Sequence, residues 1–447
     1  MKIAVLGAGE SGVGAAMLAK AKGLNVFVSD MGQIKEQYKE KLASAAIPFE
    51  EGAHTFERIL EADEIIKSPG IPDKVAIIQE AIKKEIPVIS EIEFAGRYTN
   101  AKFICITGTN GKTTTTLLAY HLLKEAGLKV GLAGNIGESL AEKVIDNRYE
   151  YYVVELSSFQ LDNMYQFKAH IAVLLNVTPD HLDRYGYSMD KYAASKLRVA
   201  QNMMGSDFFI YNADDENIKK AFHSETFGGT TVPFSLQGAK AAKVTLEDKS
   251  VKVAVKFYEG LINTSKSSLI GKHNQYNTMA AVAVAKLLEV SDEQIEKALE
   301  TFKNADHRLQ EVGVAKEVTY VNDSKATNVE AVWYALEGIK KPIIWIAGGV
   351  DKGNDYSTLA DLAREKVKVL ICLGKDNDKL KEAFGRIVPV IAETTSINYA
   401  VRLGRSLAEA GDVVLLSPAC ASFDLFNNYE HRGQRFKEAV ERIVLKK

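Results

Sequence analysis

The sequence predicts an α/β protein of three domains, each with a mostly parallel sheet flanked by helices. Three observations predict it. The chain has 447 residues, a length suited to about three ordinary domains. Short apolar runs alternate with segments of helical period, the pattern left by parallel strands joined through crossover helices. Two early apolar runs end in glycine-rich turns that open helices, one at Gly7, Gly9 and Gly12, the other at Gly108 and Gly111.

Composition narrows the class. Hydrophobic residues make up 46% and the formal net charge is -2, so nothing points to nucleic acid or a membrane surface as partner. No apolar run approaches the ~20 residues of a spanning helix. The stretch from Met1 to Gly7 reads as a first strand rather than a signal peptide. Cys105, Cys372 and Cys420 are scattered and odd in number. They fit a reducing compartment and form neither a disulfide framework nor a metal cluster. A cytoplasmic monomer is expected.

The first domain, residues 1–97, reads as Rossmann-like. Its opening strand runs into Gly7, Gly9, Glu10, Ser11 and Gly12, an alanine-rich helix follows to Gly23, and a second strand ends in Asp30. Glycines there allow close approach of a pyrophosphate, and the acid suits a ribose hydroxyl. Alone, this fingerprint is equally compatible with a nicotinamide-dependent oxidoreductase or with a turn that serves only the fold. The segments 64–70 and 86–90 resemble strands whose C-terminal ends face the same crevice, where open parallel sheets bind ligands.

The second domain, residues 98–302, is expected to be of the phosphate-loop type. The strand 103–106 leads into Thr107, Gly108, Thr109, Asn110, Gly111, Lys112, Thr113 and Thr114, and then a helix. Backbone N–H groups of such a turn crowd toward an anion, and the helix N-terminus adds positive charge. Lys112 can reach terminal phosphates and Thr113 can offer a hydroxyl to Mg²⁺. Ile106 stands where the standard loop has its first glycine. Glu155 closes a later strand, and His181 follows the apolar run 171–177. A carboxylate and an imidazole beside a phosphate site suit a divalent cation. Singly, Glu155 could cap the next helix and His181 could be an ordinary loop residue. Residues 231–258 read as an antiparallel ribbon. Asn274 is either a helix cap or, with Asn277, an amide pair for a nucleotide.

The third domain, residues 303–447, is again Rossmann-like, with strands expected at 318–322, 342–347, 367–373, 388–391 and 412–416. The loops at their C-terminal ends carry Asp323, Lys325 and Thr327, then Lys352, then Ser417, Ser422 and Phe423.

Three segments resemble the Mur ligases, the ATP-dependent amino-acid-adding enzymes of peptidoglycan synthesis. They are Gly-Thr-Asn-Gly-Lys-Thr at 108–113, Glu-Leu-Ser-Ser-Phe-Gln at 155–160 and Asp-His-Leu-Asp-Arg-Tyr at 180–185. Asn-Asp-Ser-Lys-Ala-Thr-Asn at 322–328 and residues 417–423 point, within that family, to the branch that adds D-glutamate. The resemblance covers all three domains in order. It implies a ligase that uses ATP and Mg²⁺ to join D-glutamate to UDP-N-acetylmuramoyl-L-alanine through an acyl phosphate. In that case the first domain holds a uridine nucleotide rather than a nicotinamide one. A folylpolyglutamate synthase-like ligase and a non-catalytic nucleotide switch are the other readings of the phosphate loop.

The resemblance also implies roles. Gly108, Thr109, Asn110, Gly111, Lys112, Thr113 and Thr114 would hold the ATP phosphates, with Asn274, Asn277, Arg308, Asp323 and Lys325 on the rest of the nucleotide. Thr113, Glu155 and His181 would hold Mg²⁺, helped by Lys196, which matches a position where the family carbamylates lysine. Without that match, Lys196 reads as a solvated helix lysine and Arg308 as a surface ion-pair partner. Glu10, Ser11, Asp30 and Ser68 would face the uridine nucleotide, with Asn135 and Gln160 also on substrate. Thr327, Lys352, Ser422 and Phe423 would hold D-glutamate, with Tyr429 nearby. Met31 follows Asp30 where the family often has arginine.

Overall fold

The structure is a computed structural model and describes residues 1–222, 226–255, 258–269, 271–351 and 353–445. The chain divides into two compact units: Met1–Ser268 with Tyr276–Phe302, and Leu269–Gln275 with Lys303–Lys447. The first unit contains two sheets and the second unit one. The α/β class read from the sequence holds throughout.

The first sheet consists of β1 (Lys2–Leu6), β2 (Asn25–Asp30), β3 (Phe49–Glu51), β4 (Glu64–Lys67) and β5 (Val88–Ile89). All pairs are parallel, in the order β3-β2-β1-β4-β5. The order reverses at β1, so a crevice opens beyond the C-terminal ends of β1 and β4, where such sheets take ligands. The glycine turn is tight for a stated reason: a Cβ on Gly12 would stand 1.8 Å from the Gly7 carbonyl oxygen. The helix Glu10–Ala21 can start this close to β1 only because that side chain is missing.

The second sheet has nine strands: β6 (Lys102–Thr107), β7 (Val130–Gly134), β8 (Tyr151–Glu155), β9 (Ile171–Leu174), β10 (Phe208–Asn212), β11 (Thr230–Ser235), β12 (Val244–Glu247), β13 (Ser250–Val255) and β14 (Tyr258–Asn263). Their order is β14-β13-β12-β11-β10-β9-β6-β8-β7. The antiparallel ribbon expected over 231–258 is confined to β12, β13 and β14. β11 instead extends the parallel part, pairing in parallel with β10 and β12. Its core pattern of continuous burial fits a strand covered on both faces, which alternation alone does not reveal.

Within this unit the two sheets meet through helices. Glu91, at the start of the helix Glu91–Gly96, accepts hydrogen bonds on Oε1 from Ser139 Oγ (2.9 Å) and Ala141 N (2.5 Å), at the start of the helix Leu140–Asp146. Burial drives the Glu91 carboxyl up to about 7. The folded state therefore binds a proton that the unfolded chain releases near 4.5, and stability falls as pH rises through that window. Glu91→Gln keeps an acceptor without the charge. Its thermal midpoint is expected to equal or exceed the wild type above pH 7 and to vary less between pH 4.5 and 7. A parallel pH profile for the two proteins in thermal scans would refute this.

The third sheet comprises β15 (Gln310–Ala315), β16 (Val318–Asn322), β17 (Ile343–Ala347), β18 (Val367–Leu373), β19 (Val390–Thr394) and β20 (Val413–Leu416), ordered β15-β16-β20-β17-β18-β19. Five of these lie at or within three residues of the expected strands. β15 was not expected: it is half-exposed and antiparallel to β16, with a register irregularity near Gly313. β17 is buried on both faces, with Trp345 in one core and Ile344 and Ile346 in the other. Among the described residues, no helix is long and apolar enough to cross a membrane.

Candidate active site

β6 sits between β8 and β9, so the turn after β6 lies among the loops that leave those two strands. Gly111 has φ +82, and a Cβ there would stand 2.3 Å from Asn277 Oδ1. Position 111 therefore needs glycine on both backbone and steric grounds. The loop is shaped by Asn176, just beyond β9. Its Oδ1 accepts from Thr109 N (3.0 Å) and Asn110 N (2.8 Å), and its Nδ2 donates to Asn110 O (3.0 Å). Thr109 Oγ1 is further tied to Thr178 O (3.1 Å) and lies 3.3 Å from Tyr192 Oη. Sequence reading missed Asn176; an amide right after an apolar strand was the available signal.

Two lysines converge here. Lys112 Nζ donates to the carbonyls of Gly108 (2.9 Å) and Thr109 (2.7 Å). Lys196 Nζ donates to the same Gly108 carbonyl at 2.8 Å. Lys196 is 1% exposed, so the solvated-lysine reading is wrong. Burial, and then the nearby Lys112 charge, hold its amine well below the usual lysine range. A buried ammonium beside another cation is disfavoured, so the neutral amine is more accessible here than at a solvated lysine, although the Asp180 and Asp162 charges act in the opposite direction.

Glu155, also 1% exposed, ends β8. Its Oε1 accepts from Asn135 Nδ2 (2.9 Å). Its Oε2 is buried and has no hydrogen-bond partner among the described residues. Glu155 does not cap the next helix; Ser157 does, in a capping box with Gln160. Gln160 Oε1 accepts from Ser157 N and Oγ, beside residues 157–159, which line the cavity described next.

A cavity of about 300 Å³ opens between these groups, lined among others by Thr109, Lys112, Asn135, His181, Tyr192 and Lys196. His181 has φ +51, and its Nε2 lies 3.5 Å from Asp180 Oδ2. Pro69 and Gly70, from the loop after β4, reach the same cavity. The crevice of the first sheet and the phosphate loop of the second are therefore joined within one unit. Thr113 and Thr114 are buried in the first turn of the helix Lys112–Glu125, and Asn277 Oδ1 accepts from Thr115 Oγ1 at 3.1 Å.

At the first sheet, Asp30 Oδ2 accepts from Ala8 N (2.6 Å) and Oδ1 from Gly32 N (2.7 Å), which binds the acid to the glycine turn. Ser68 Oγ lies 3.3 Å from Gly7 O. Glu10 and Ser11 open the first helix, and partial burial with Glu142 and Glu138 nearby raises the Glu10 carboxyl. Sequence reading also missed Ser29, whose hydroxyl lies 2.6 Å from both Glu50 Oε1 and His54 Nδ1.

In the second unit, Asn274 lies inside the helix Lys272–Leu287 rather than at its cap. Arg308 is half-buried. Asp323 follows β16, accepts from Ser417 Oγ (2.8 Å) and Leu309 N (3.2 Å), and is pushed up to about 7 by burial. The loops after β16 and β20 bring Thr327, Ser417 and Ser422 to the C-terminal edge of the sheet, with Ser422 buried and Phe423 72% exposed. Lys325 Nζ sits 5.3 Å from the ring of Tyr429, the first residue of the helix Tyr429–Val444. Lys352 lies outside the described residues.

Family descriptions match three stretches: "Mur ligase MurD-like, N-terminal domain" over residues 1–90, "Mur ligase middle domain" over 106–285 and "Mur ligase, glutamate ligase domain" over 307–420. A protein of Porphyromonas gingivalis named UDP-N-acetylmuramoylalanine–D-glutamate ligase is 52% identical over 441 residues, 98% of each chain. One of the same name from Bacteroides fragilis is 50% identical over 443 residues, covering 99% of this chain and all of its own. Among solved structures, a pseudomurein peptide ligase type C from Methanothermus fervidus shares the fold at TM-score 0.63 and 21% identity, covering 99% of both chains. A MurF ligase from Thermotoga maritima in complex with ADP does so at TM-score 0.61 and 16% identity, covering 94% of this chain and 95% of its own.

Proposed function

The chain belongs to the Mur ligase family, and from that premise we propose that it joins D-glutamate to UDP-N-acetylmuramoyl-L-alanine at the expense of ATP. The observation that carries the reading is the identity of about half, end to end, with ligases of that name. The glycine turn at 7–12 then serves a uridine nucleotide, and the nicotinamide reading is dropped.

The chemistry suits the residues. A free carboxylate is a poor electrophile, so the L-alanine carboxylate first takes the γ-phosphoryl group and ADP departs. The D-glutamate amine then attacks the acyl carbon, and phosphate leaves as the amide forms. Such a sequence asks the protein for positioning and charge neutralisation. Backbone N–H groups from Gly108 to Thr114 would hold the phosphates. Lys112 would exchange its loop carbonyls for phosphate oxygens. Asn274, Asn277, Arg308, Asp323 and Lys325 would complete ATP binding. Glu10, Ser11, Asp30 and Ser68 would hold the uridine nucleotide, and Asn135 and Gln160 the rest of that substrate. Thr327, Lys352, Ser422, Phe423 and Tyr429 would hold D-glutamate.

The residues fit Mg²⁺. Among the described residues no three His, Cys, Asp or Glu side chains cluster, but the buried, unpartnered Oε2 of Glu155 suits a hard cation that takes its other ligands from hydroxyl, phosphate and water oxygens. Thr113, Glu155 and His181 would hold it, and when bound it would neutralise charge on the transferring phosphoryl group. The lowered proton affinity of the buried Lys196 amine supports carbamylation: the deprotonated Nζ attacks the carbon of dissolved CO2, one proton leaves to solvent, and the neutral amine becomes an anionic carbamate that can donate oxygen.

The test is phosphate release with ATP, Mg²⁺ and UDP-N-acetylmuramoyl-L-alanine, with D-glutamate, L-glutamate or neither. Release that requires the uridine substrate and D-glutamate together, with an amide product by mass, is expected. Folded, ATP-binding protein that turns over no amino acid would overturn the reading.

A further inference from the structure

The helix Tyr429–Val444 sends one side chain into the interior of the second unit. Arg432 is 1% exposed, among the largest fully buried side chains of the protein. Among the described residues, its guanidinium meets no carboxylate directly. Nε donates to Ser324 Oγ (3.0 Å) and Nη2 to Ser324 O (2.9 Å). Nη1 lies 3.2 Å from Cys420 O and 3.4 Å from Gly348 O. These acceptors belong to three loops, which leave β16, β20 and β17, adjacent strands in the order β16-β20-β17. Ser324 is three residues before Thr327, and Cys420 is two before Ser422. Asp323, tied to Ser417, sits between them.

A planar fork with five donors can hold three separate backbone segments at fixed distances; an ammonium or an apolar side chain cannot. Burying such a cation is costly unless its hydrogen bonds are made. The helix holds the group from below: Ser324 Oγ also donates to Tyr429 O (2.8 Å), and Asn322 Nδ2 donates to Gly433 O (2.9 Å). Gly348 has φ +130, and a Cβ there would meet the Leu373 carbonyl at 2.6 Å, so this loop has little room to move.

We propose that Arg432 is a positioning residue that sets the spacing of the loops carrying Thr327 and Ser422, and through them the capture of the amino-acid substrate. This rests on the D-glutamate reading above. Arg432 touches no substrate; it acts through Ser324 and Cys420. Burial lowers its guanidinium to about 10, still charged at neutral pH.

The test is steady-state kinetics of Arg432→Met in the full chain, beside the wild type, with KM measured separately for each substrate. Loss of charge-assisted bonds predicts a rise of about 10-fold or more in the KM for D-glutamate, with the KM for the uridine substrate within about twofold. A merely structural role would move both together. An unchanged D-glutamate KM, or an equal rise in both, overturns the proposal. Ser324→Ala removes the hydroxyl contact with little change in volume and is expected to raise the D-glutamate KM about threefold. It decides the matter should Arg432→Met not fold, and an unchanged KM there also overturns the proposal. A wild type that forms no amide with D-glutamate would refute the parent reading instead.

Discussion

Replacing Lys196 with alanine is expected to lower kcat about 10³-fold, the upper range for loss of one preorganised electrostatic contact. A short carboxylate such as formate or acetate is expected to restore part of it. The argument is geometric. Lys196 Nζ is buried against the Gly108 carbonyl, which Lys112 also engages. Burial and the neighbouring Lys112 charge hold the Lys196 amine well below the usual lysine range. A neutral amine reacts with CO2 where a solvated lysine is protonated and inert. Lys196→Arg places a permanent cation there that cannot be carbamylated, and it is expected to be as inactive as the alanine variant. The sign of the linkage provides a second check. Unmodified Lys196 binds fewer protons folded than unfolded, so stability rises with pH from the depressed value up to about 10.4. Lys196→Met is expected to flatten that rise. Full turnover in Lys196→Ala would remove the role; so would an inactive variant that no carboxylate rescues at any concentration.

Glu155→Gln is expected to reduce turnover about 10²-fold at millimolar Mg²⁺, with activity recovering in part as Mg²⁺ is raised. The substitution keeps an oxygen for Asn135 Nδ2 and removes only the charge from a buried group. Because Oε2 has no hydrogen-bond partner among the described residues, the variant is expected to be at least as stable as the wild type in thermal scans. A loss of activity joined to a gain in stability marks a functional charge and separates it from a structural one. The same Mg²⁺ titration curve for variant and wild type would sink the assignment.

Local features of the site were legible from the chain alone. The turn at 108–113 could be read because its requirements are local: an apolar strand, glycine where φ is positive, and a helix start behind it. Asp30, Glu155 and Asp323 could be placed at strand ends by periodicity. The strands of the third domain were found because buried parallel strands are short, continuous apolar runs. β15 escaped because it is half-exposed and antiparallel, and the parallel course of β11 escaped because pairing direction is not written in a strand's own residues. Asn274 was expected as a cap or a nucleotide contact, and only the helix start at Lys272 removes the cap.

The α/β class, the two glycine turns, the family and the residue types available for phosphate, cation and substrate were all readable from the chain, because each depends on short-range backbone geometry or on motifs several residues long. Tertiary structure alone decided the state of those residues. Asn176 shapes the phosphate loop from 66 residues away. Burial beside Lys112 lowers the proton affinity of Lys196, Glu155 keeps an oxygen without a hydrogen-bond partner among the described residues, and Arg432 spans three loops from a helix after the last strand. Burial, electrostatic proximity and long-range hydrogen bonds arise from packing, and no local pattern of residues encodes them.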